Sequence, residues 1–120
     1  MTDNASTEIK TDDYCVWYDA DAKTVACEGS LRLSGMAEYE PISQLLNTIS
    51  ELDLDSVVLD LKNLEFLNSS GISMLSKFVI KVRHKKTVQM IVRGSKSIPW
   101  QGKSLKNLQR LMPSLNLEWD

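Results

Sequence analysis

The sequence holds a single histidine, His84, and two cysteines, Cys15 and Cys27, in 120 residues. One imidazole leaves no Ser/His or Cys/His constellation except through that residue, which argues against a hydrolase. The cysteines are too few and too widely spaced for a zinc site, which takes four ligands in close pairs. No metal or cofactor is expected, and both thiols are read as free groups packing as small hydrophobes. Only 5 glycines are present, with neither a glycine-rich phosphate loop nor a G-x-S-x-G elbow among them, so no catalytic residue is assigned and an enzyme is not expected. Apolar runs such as Phe78-Val79-Ile80 fall far short of the ~20 residues of a membrane span. Residues 1–13 lack the basic leader and apolar stretch of a secretory signal. A cytoplasmic protein without a membrane partner is the expectation.

What remains is an ordinary globule of 13.6 kDa with 42% hydrophobic and 25% charged residues, the size and composition of one domain with one core. Its charge is lopsided. Residues 1–60 carry 3 basic and 13 acidic groups and residues 61–120 carry 11 and 3, so the halves stand at −10 and +8 within a net −2. A compact domain folds both halves together, and a pI of 5.4 does not favour nucleic acid. The asymmetry predicts acidic and basic faces that steer a charged protein partner.

Along the chain, residues 1–13 show no period and read as a flexible arm, with the domain spanning 14–120. Tyr14 to Asp19 and Lys23 to Leu31 read as a hairpin around Asp19-Ala20-Asp21-Ala22. Pairing Asp19 with Lys23 sets Cys15 opposite Cys27 and Trp17 opposite Val25 on one inner face. After Ser34-Gly35, the residues Tyr39, Ile42, Leu45, Leu46, Ile49 and Leu52 recur at helical spacing, with Pro41 placed in the first turn. Ser56 to Leu61 reads as a central strand, followed by a turn at Lys62-Asn63 and a short apolar Leu64 to Leu67. A second helix runs from Asn68-Ser69-Ser70-Gly71 to His84. Its core stripe is Ile72, Leu75, Phe78, Val79 and Val82, with Met74 and Ile80 at the margins. A strand from Thr87 to Val92, a third helix around Leu105, Leu108, Leu111 and Met112, and a strand from Leu115 to Trp119 complete the order ββαβαβαβ. That order predicts an α/β domain with helices packed on a mixed sheet.

The chemistry concentrates where the central strand delivers Ser69 and Ser70 to a helix start. Unpaired N–H groups and the helix dipole there would stabilise an added phosphate, and Gly71 would leave room for it. The plainer alternative is that Asn68, Ser69 or Ser70 caps the helix. Beyond the start, Ser73, Met74, Lys77, Ile80 and Lys81 offer a mixed apolar and basic docking surface. The run Lys81-Val82-Arg83-His84-Lys85-Lys86 is read as cations complementing the helix C-terminus. Trp17 is assigned to the core and Trp100 to covering the end of the third helix.

The stretch V-V-L-D-L-K-N-L-E-F-L-N-S-S-G-I-S-M-L, with the ββαβαβαβ order, resembles the STAS domain proteins, the anti-sigma factor antagonists of bacterial partner-switching systems. The resemblance implies a STAS-like single domain and a non-enzymatic signalling role. The implied partner is an anti-sigma factor or serine kinase with an ATP-binding fold, and a phosphatase is the further partner. Ser69 is the implied phosphoacceptor, with Ser70 the second choice. Asn68 stands where the family's Asp-Ser/Thr-Ser/Thr-Gly tetrad has its aspartate, and the chain ends after its last strand where many members carry a further helix. A constitutive STAS interaction module that phosphorylation does not regulate is the alternative.

Overall fold

The computed structural model describes residues 8–120. In chain order these form β1 (Glu8–Lys10), β2 (Tyr14–Asp19), β3 (Thr24–Leu31), α1 (Gly35–Ser50), β4 (Ser56–Leu67), α2 (Ser69–Lys85), β5 (Gln89–Gly94), α3 (Gln101–Leu111) and β6 (Asn116–Trp119). The strands make one six-stranded sheet in sequential order. β1, β2 and β3 pair antiparallel, while β3 through β6 pair parallel. Each parallel link crosses over through a helix, and right-handed crossovers all advancing in one direction place the three helices on one face. α1 packs on α2, and α2 on α3. Val16, Val25, Cys27, Val57, Leu59, Met90 and Val92 bury the covered face. The other face carries half-exposed Trp17, Asp60, Ile91 and Arg93.

From Tyr14 onward the order is the ββαβαβαβ of the sequence reading, with one strand added ahead of it. Glu8–Lys10, assigned to the arm, is instead an edge strand: Ile9 lies opposite Val16, and the Thr11 hydroxyl accepts from the N–H groups of Asp13 and Tyr14 at 3.1 and 3.2 Å. One apolar residue and a hydroxyl-closed turn suffice to dock it. The rest of the arm, residues 1–7, lies outside the described residues.

The hairpin register differs by one residue. Asp19 pairs with Thr24, Trp17 with Ala26 and Val16 with Cys27. The Asp19 carboxylate accepts from the N–H groups of Asp21 and Ala22, and Lys23 takes a left-handed φ of 53°, which stretches the loop to four residues. Because strand side chains alternate, the slip moves Cys15 and Trp17 to the open face. Cys15 then lies opposite Glu28, away from Cys27, and both thiols are free. Pro41 is also displaced. α1 begins at Gly35, so the proline sits inside the helix, in its second turn on an exposed position.

β4 corrects the sequence reading further, running unbroken for 12 residues where a turn at Lys62-Asn63 is expected. The ladder with β3 shifts between Ala26/Glu28 and again between Gly29/Ser30, absorbing the extra residues as bulges. Gln101, fully buried, satisfies the carbonyls this irregularity leaves: its Nε2 donates to Leu61 and Leu64 at 2.7 and 3.1 Å, and its Oε1 accepts from the Ser95 N–H at 2.7 Å. Trp100 Nε1 donates to the same Leu64 carbonyl at 3.1 Å. The indole lies half-buried against the core. No described helix is long and apolar enough to cross a membrane.

Gln101→Leu keeps most of the volume but strands buried carbonyls, so denaturant unfolding should show a loss of about 2–4 kcal/mol. Trp100→Phe, which leaves Leu64 with one donor, should lose about 1 kcal/mol. Burial, reinforced by Asp60 and Cys15, pushes the Cys27 thiol from 9.0 up to about 12. The folded state therefore holds this proton more tightly than the unfolded state, and stability is lost as pH rises from about 9 toward 12. Urea midpoints between pH 8 and 10.5 should fall less steeply in Cys27→Ala. The slope that remains belongs to Cys15, Tyr14, Tyr18 and Tyr39, whose protons burial holds more tightly in the same direction.

Candidate functional site

β3 and β4 run out together, Leu31 opposite Leu67, and their last carbonyls have no further ladder to join. Asn68 closes this end. Its N–H donates to the Leu31 carbonyl at 3.3 Å, and its Nδ2 donates to the Leu33 carbonyl at 2.8 Å. Its Oδ1 accepts from the Gly71 N–H at 3.0 Å and from the Tyr39 hydroxyl at 2.7 Å. That hydroxyl also lies 3.1 Å from the Leu31 carbonyl. One amide thus caps α2 and ties it to the β3–α1 connection and to α1.

Because Asn68 is the cap, neither serine is needed for that task. Ser69 is exposed and Ser70 half-buried. The first turn of α2 has no acidic residue, while its last turn holds Arg83, His84 and Lys85, so the positive end stays uncompensated and the negative end is complemented. Arg83 also donates to the Leu111 carbonyl at 3.0 Å, which anchors part of the basic run to α3. Gly71 plays a different part from the one expected. It is buried, and a Cβ there would overlap the Leu67 side chain and come within 2.8 Å of the Tyr39 hydroxyl. Its absent side chain lets helix, strand and Tyr39 approach, and makes no space for a phosphate.

Of the expected docking residues, Ser73, Lys77 and Lys81 are exposed and Ile80 is half-buried. Met74 is corrected: at 2% exposure it belongs to the core, because α1 packs over that side of α2. A groove of about 370 Å³ runs between the two helices, lined by Met36, Glu40 and Asn47 on one side and Met74, Lys77 and Lys81 on the other. The Lys81 ammonium donates to Asn47 Oδ1 across it at 2.7 Å. Among the described residues no group of three or more His, Cys, Asp and Glu could hold a metal ion.

Sequence reasoning missed Tyr39, which it counts as one more apolar repeat, and the Leu33 carbonyl, which no pattern reveals. It also missed Gln101, although a polar residue four and seven places before Leu105 and Leu108 on the core stripe of α3 is a readable signal.

The STAS domain model matches residues 25–101. This chain belongs to the STAS domain family. The match takes in β3, α1, β4, α2 and β5, hence the whole Asn68 joint, and leaves β1, β2, most of α3 and β6 outside. No curated protein sequence matches the chain. Among solved structures, the STAS chain superposes on one of the diguanylate cyclase SiaD in complex with its activator SiaC from Pseudomonas aeruginosa. The TM-score is 0.69 at 11% identity, covering 94% of this chain and 98% of that one. SiaC of Pseudomonas aeruginosa gives a TM-score of 0.67 at 12% identity, covering 93% and 96%. Apo-SiaC from the same organism gives 0.67 at 11%, covering 95% and 98%. At such identities the likeness concerns the fold.

Asn68→Asp, which restores the family's residue, keeps the acceptor oxygen but sets a second oxygen against the Leu33 carbonyl. The variant should lose about 1–3 kcal/mol in chemical denaturation. Asn68→Ala removes the cap as well and should lose more. Gly71→Ala should lose about 1–3 kcal/mol by overpacking. Parental stability in Asn68→Asp would show that the amide's donation to the Leu33 carbonyl contributes nothing to holding this end of the sheet.

Proposed function

We propose that this protein is a non-enzymatic, cytoplasmic component of a partner-switching system that binds a protein partner beside Ser69 and releases it when Ser69 is phosphorylated. The modifying partner is a serine kinase of the anti-sigma type with an ATP-binding fold, opposed by a phosphatase. One observation carries the reading: Asn68 supplies the helix cap, so Ser69 stands free in solvent at the uncompensated end of α2. Membership of the STAS family supports it. The fold it shares with SiaC, an activator in complex with the diguanylate cyclase SiaD, supports an enzyme as the bound partner.

A partner resting on Ser73, Lys77 and Ile80 and reaching the groove toward Lys81 would cover Ser69 at its edge. Phosphorylation adds about −1.5 to −2 charge there. A partner then has to bury a dianion or withdraw, and an uncompensated buried charge costs several kcal/mol. Since Asn68, Tyr39 and Gly71 lock the helix start, the switch works by charge and bulk with no refolding of the domain.

A second reading, a constitutive interaction module, is favoured by Asn68 itself, because the amide removes the carboxylate of the family tetrad. Incubation with host lysate and ATP followed by phosphosite mapping should place phosphate on Ser69; no modification under any signalling condition counts against the switch. In partner pull-downs, Ser69→Glu should bind at least about 100-fold more weakly, or ~2.7 kcal/mol, while Ser69→Ala binds as the parent. Equal recovery of both variants selects the constitutive module.

A further inference from the structure

Ser30 pairs with Phe66 and Leu31 with Leu67 at the last rungs of the β3–β4 ladder. Leu67 turns into the core, so Phe66 faces the open side of the sheet. At 37% exposure it is one of three exposed large apolar side chains among the described residues, with Met36 and Leu52. The Arg32 guanidinium covers it, 4.6 Å from the ring centroid. Arg32 is exposed and takes part in neither of the ion pairs among the described residues, Lys62–Asp60 and Arg93–Glu118. A guanidinium stacked on an aromatic face is held in position while its in-plane N–H groups stay free, the arrangement that suits a planar, bidentate grip on an oxyanion.

The position of this fork is telling. Arg32 follows Leu31, whose carbonyl accepts from the Asn68 N–H at 3.3 Å, and Ser69 follows Asn68. The two side chains therefore leave adjacent strand ends one residue past the same hydrogen bond, within the combined reach of an arginine and a phosphorylated serine. We propose that Arg32, steadied by Phe66, is the receptor for the phosphoryl group on Ser69, binding the phosphomonoester dianion within the chain. The inference rests on the phosphorylation reading above and adds its consequence. Modification not only places an anion at the edge of the docking surface; it also occupies the stacked guanidinium at the adjoining edge of the open side.

The test needs neither kinase nor partner. Phosphoserine is installed at position 69 by genetic-code expansion, and the phosphate is titrated by phosphorus NMR in the full chain. Its titration midpoint should lie about half a pH unit lower with Arg32 than in Arg32→Gln, the size of shift an exposed ion pair gives. Arg32→Lys, which keeps the charge without the fork, should recover only part of that difference, and Phe66→Leu, which frees the guanidinium, should lose part of it. Glu38, which accepts from the Ser34 N–H, and Glu65 on β4 are the same in every variant, so any effect of theirs cancels in the comparison. Coincident midpoints for the parent and Arg32→Gln overturn the clamp. Because the phosphate is installed directly, a protein never phosphorylated in cells defeats the switch while leaving this measurement intact.

Discussion

The arrangement at the end of β3 and β4 depends on one amide doing what no other side chain of its size can do. Two strands that end together leave carbonyls pointing past the ladder, and a helix beginning at the same place leaves N–H groups without partners. Asn68 carries both a donor and an acceptor on one short arm. It reaches the Leu33 carbonyl with one end and the Gly71 N–H and Tyr39 hydroxyl with the other. A carboxylate offers only acceptors, and serine or threonine would span less distance. The family's aspartate and this asparagine are therefore not equivalent here. The amide is tied to the course of the β3–α1 connection, which presents a carbonyl where an ionised side chain would want a donor.

A similar solution operates on the other flank of β4. Gln101 enters from the start of α3 and takes the carbonyls that the bulged strand cannot pair. Asparagine at one end and glutamine in the middle let the strand run 12 residues, well beyond the 6-residue β5 beside it. The extra length carries Asn68 and Ser69 past the β5 end of the sheet and holds them on satisfied backbone. A buried and a half-buried amide with their groups paired make a stiff support, and a stiff support suits recognition by charge and shape better than recognition by rearrangement.

How legible this was in the sequence divides along the range of the signals. Helical periodicity in α1 and α2, the apolar core strand and the alternation of elements are local or cumulative patterns, and they lead to the STAS-like α/β domain that the family match establishes. The hairpin register hung on whether Lys23 belongs to the strand or the loop, a question decided by one left-handed φ, and a slip of one residue reversed the faces of Cys15 and Trp17. Met74 went astray because the wheel of α2 shows its own stripe but not how far α1 leans over it. The unbroken β4 was hidden by Lys62-Asn63, which look like a turn until Gln101, forty residues beyond Leu61, removes the need for one. At the site, Asn68, Ser69 and Gly71 were visible as a motif, yet their division of labour was not. The partners of Asn68 are a backbone carbonyl and a tyrosine 29 residues away, and neither leaves a mark on local composition.

Magnitudes separate the two effects a phosphate would have at this edge. An exposed ion pair with Arg32 is worth about 0.2–1 kcal/mol, whereas burying a dianion under a docked partner costs several times that. Release of the partner would thus come from desolvation, and the arginine could not oppose it. What the pair supplies is direction. A phosphate tumbling freely on Ser69 samples many positions, but one gripped by a guanidinium already stacked on Phe66 is held at the strand ends, beside the start of α2. A weak contact placed on a rigid frame would convert a flexible modification into a fixed obstacle, and the frame is the amide joint at Asn68.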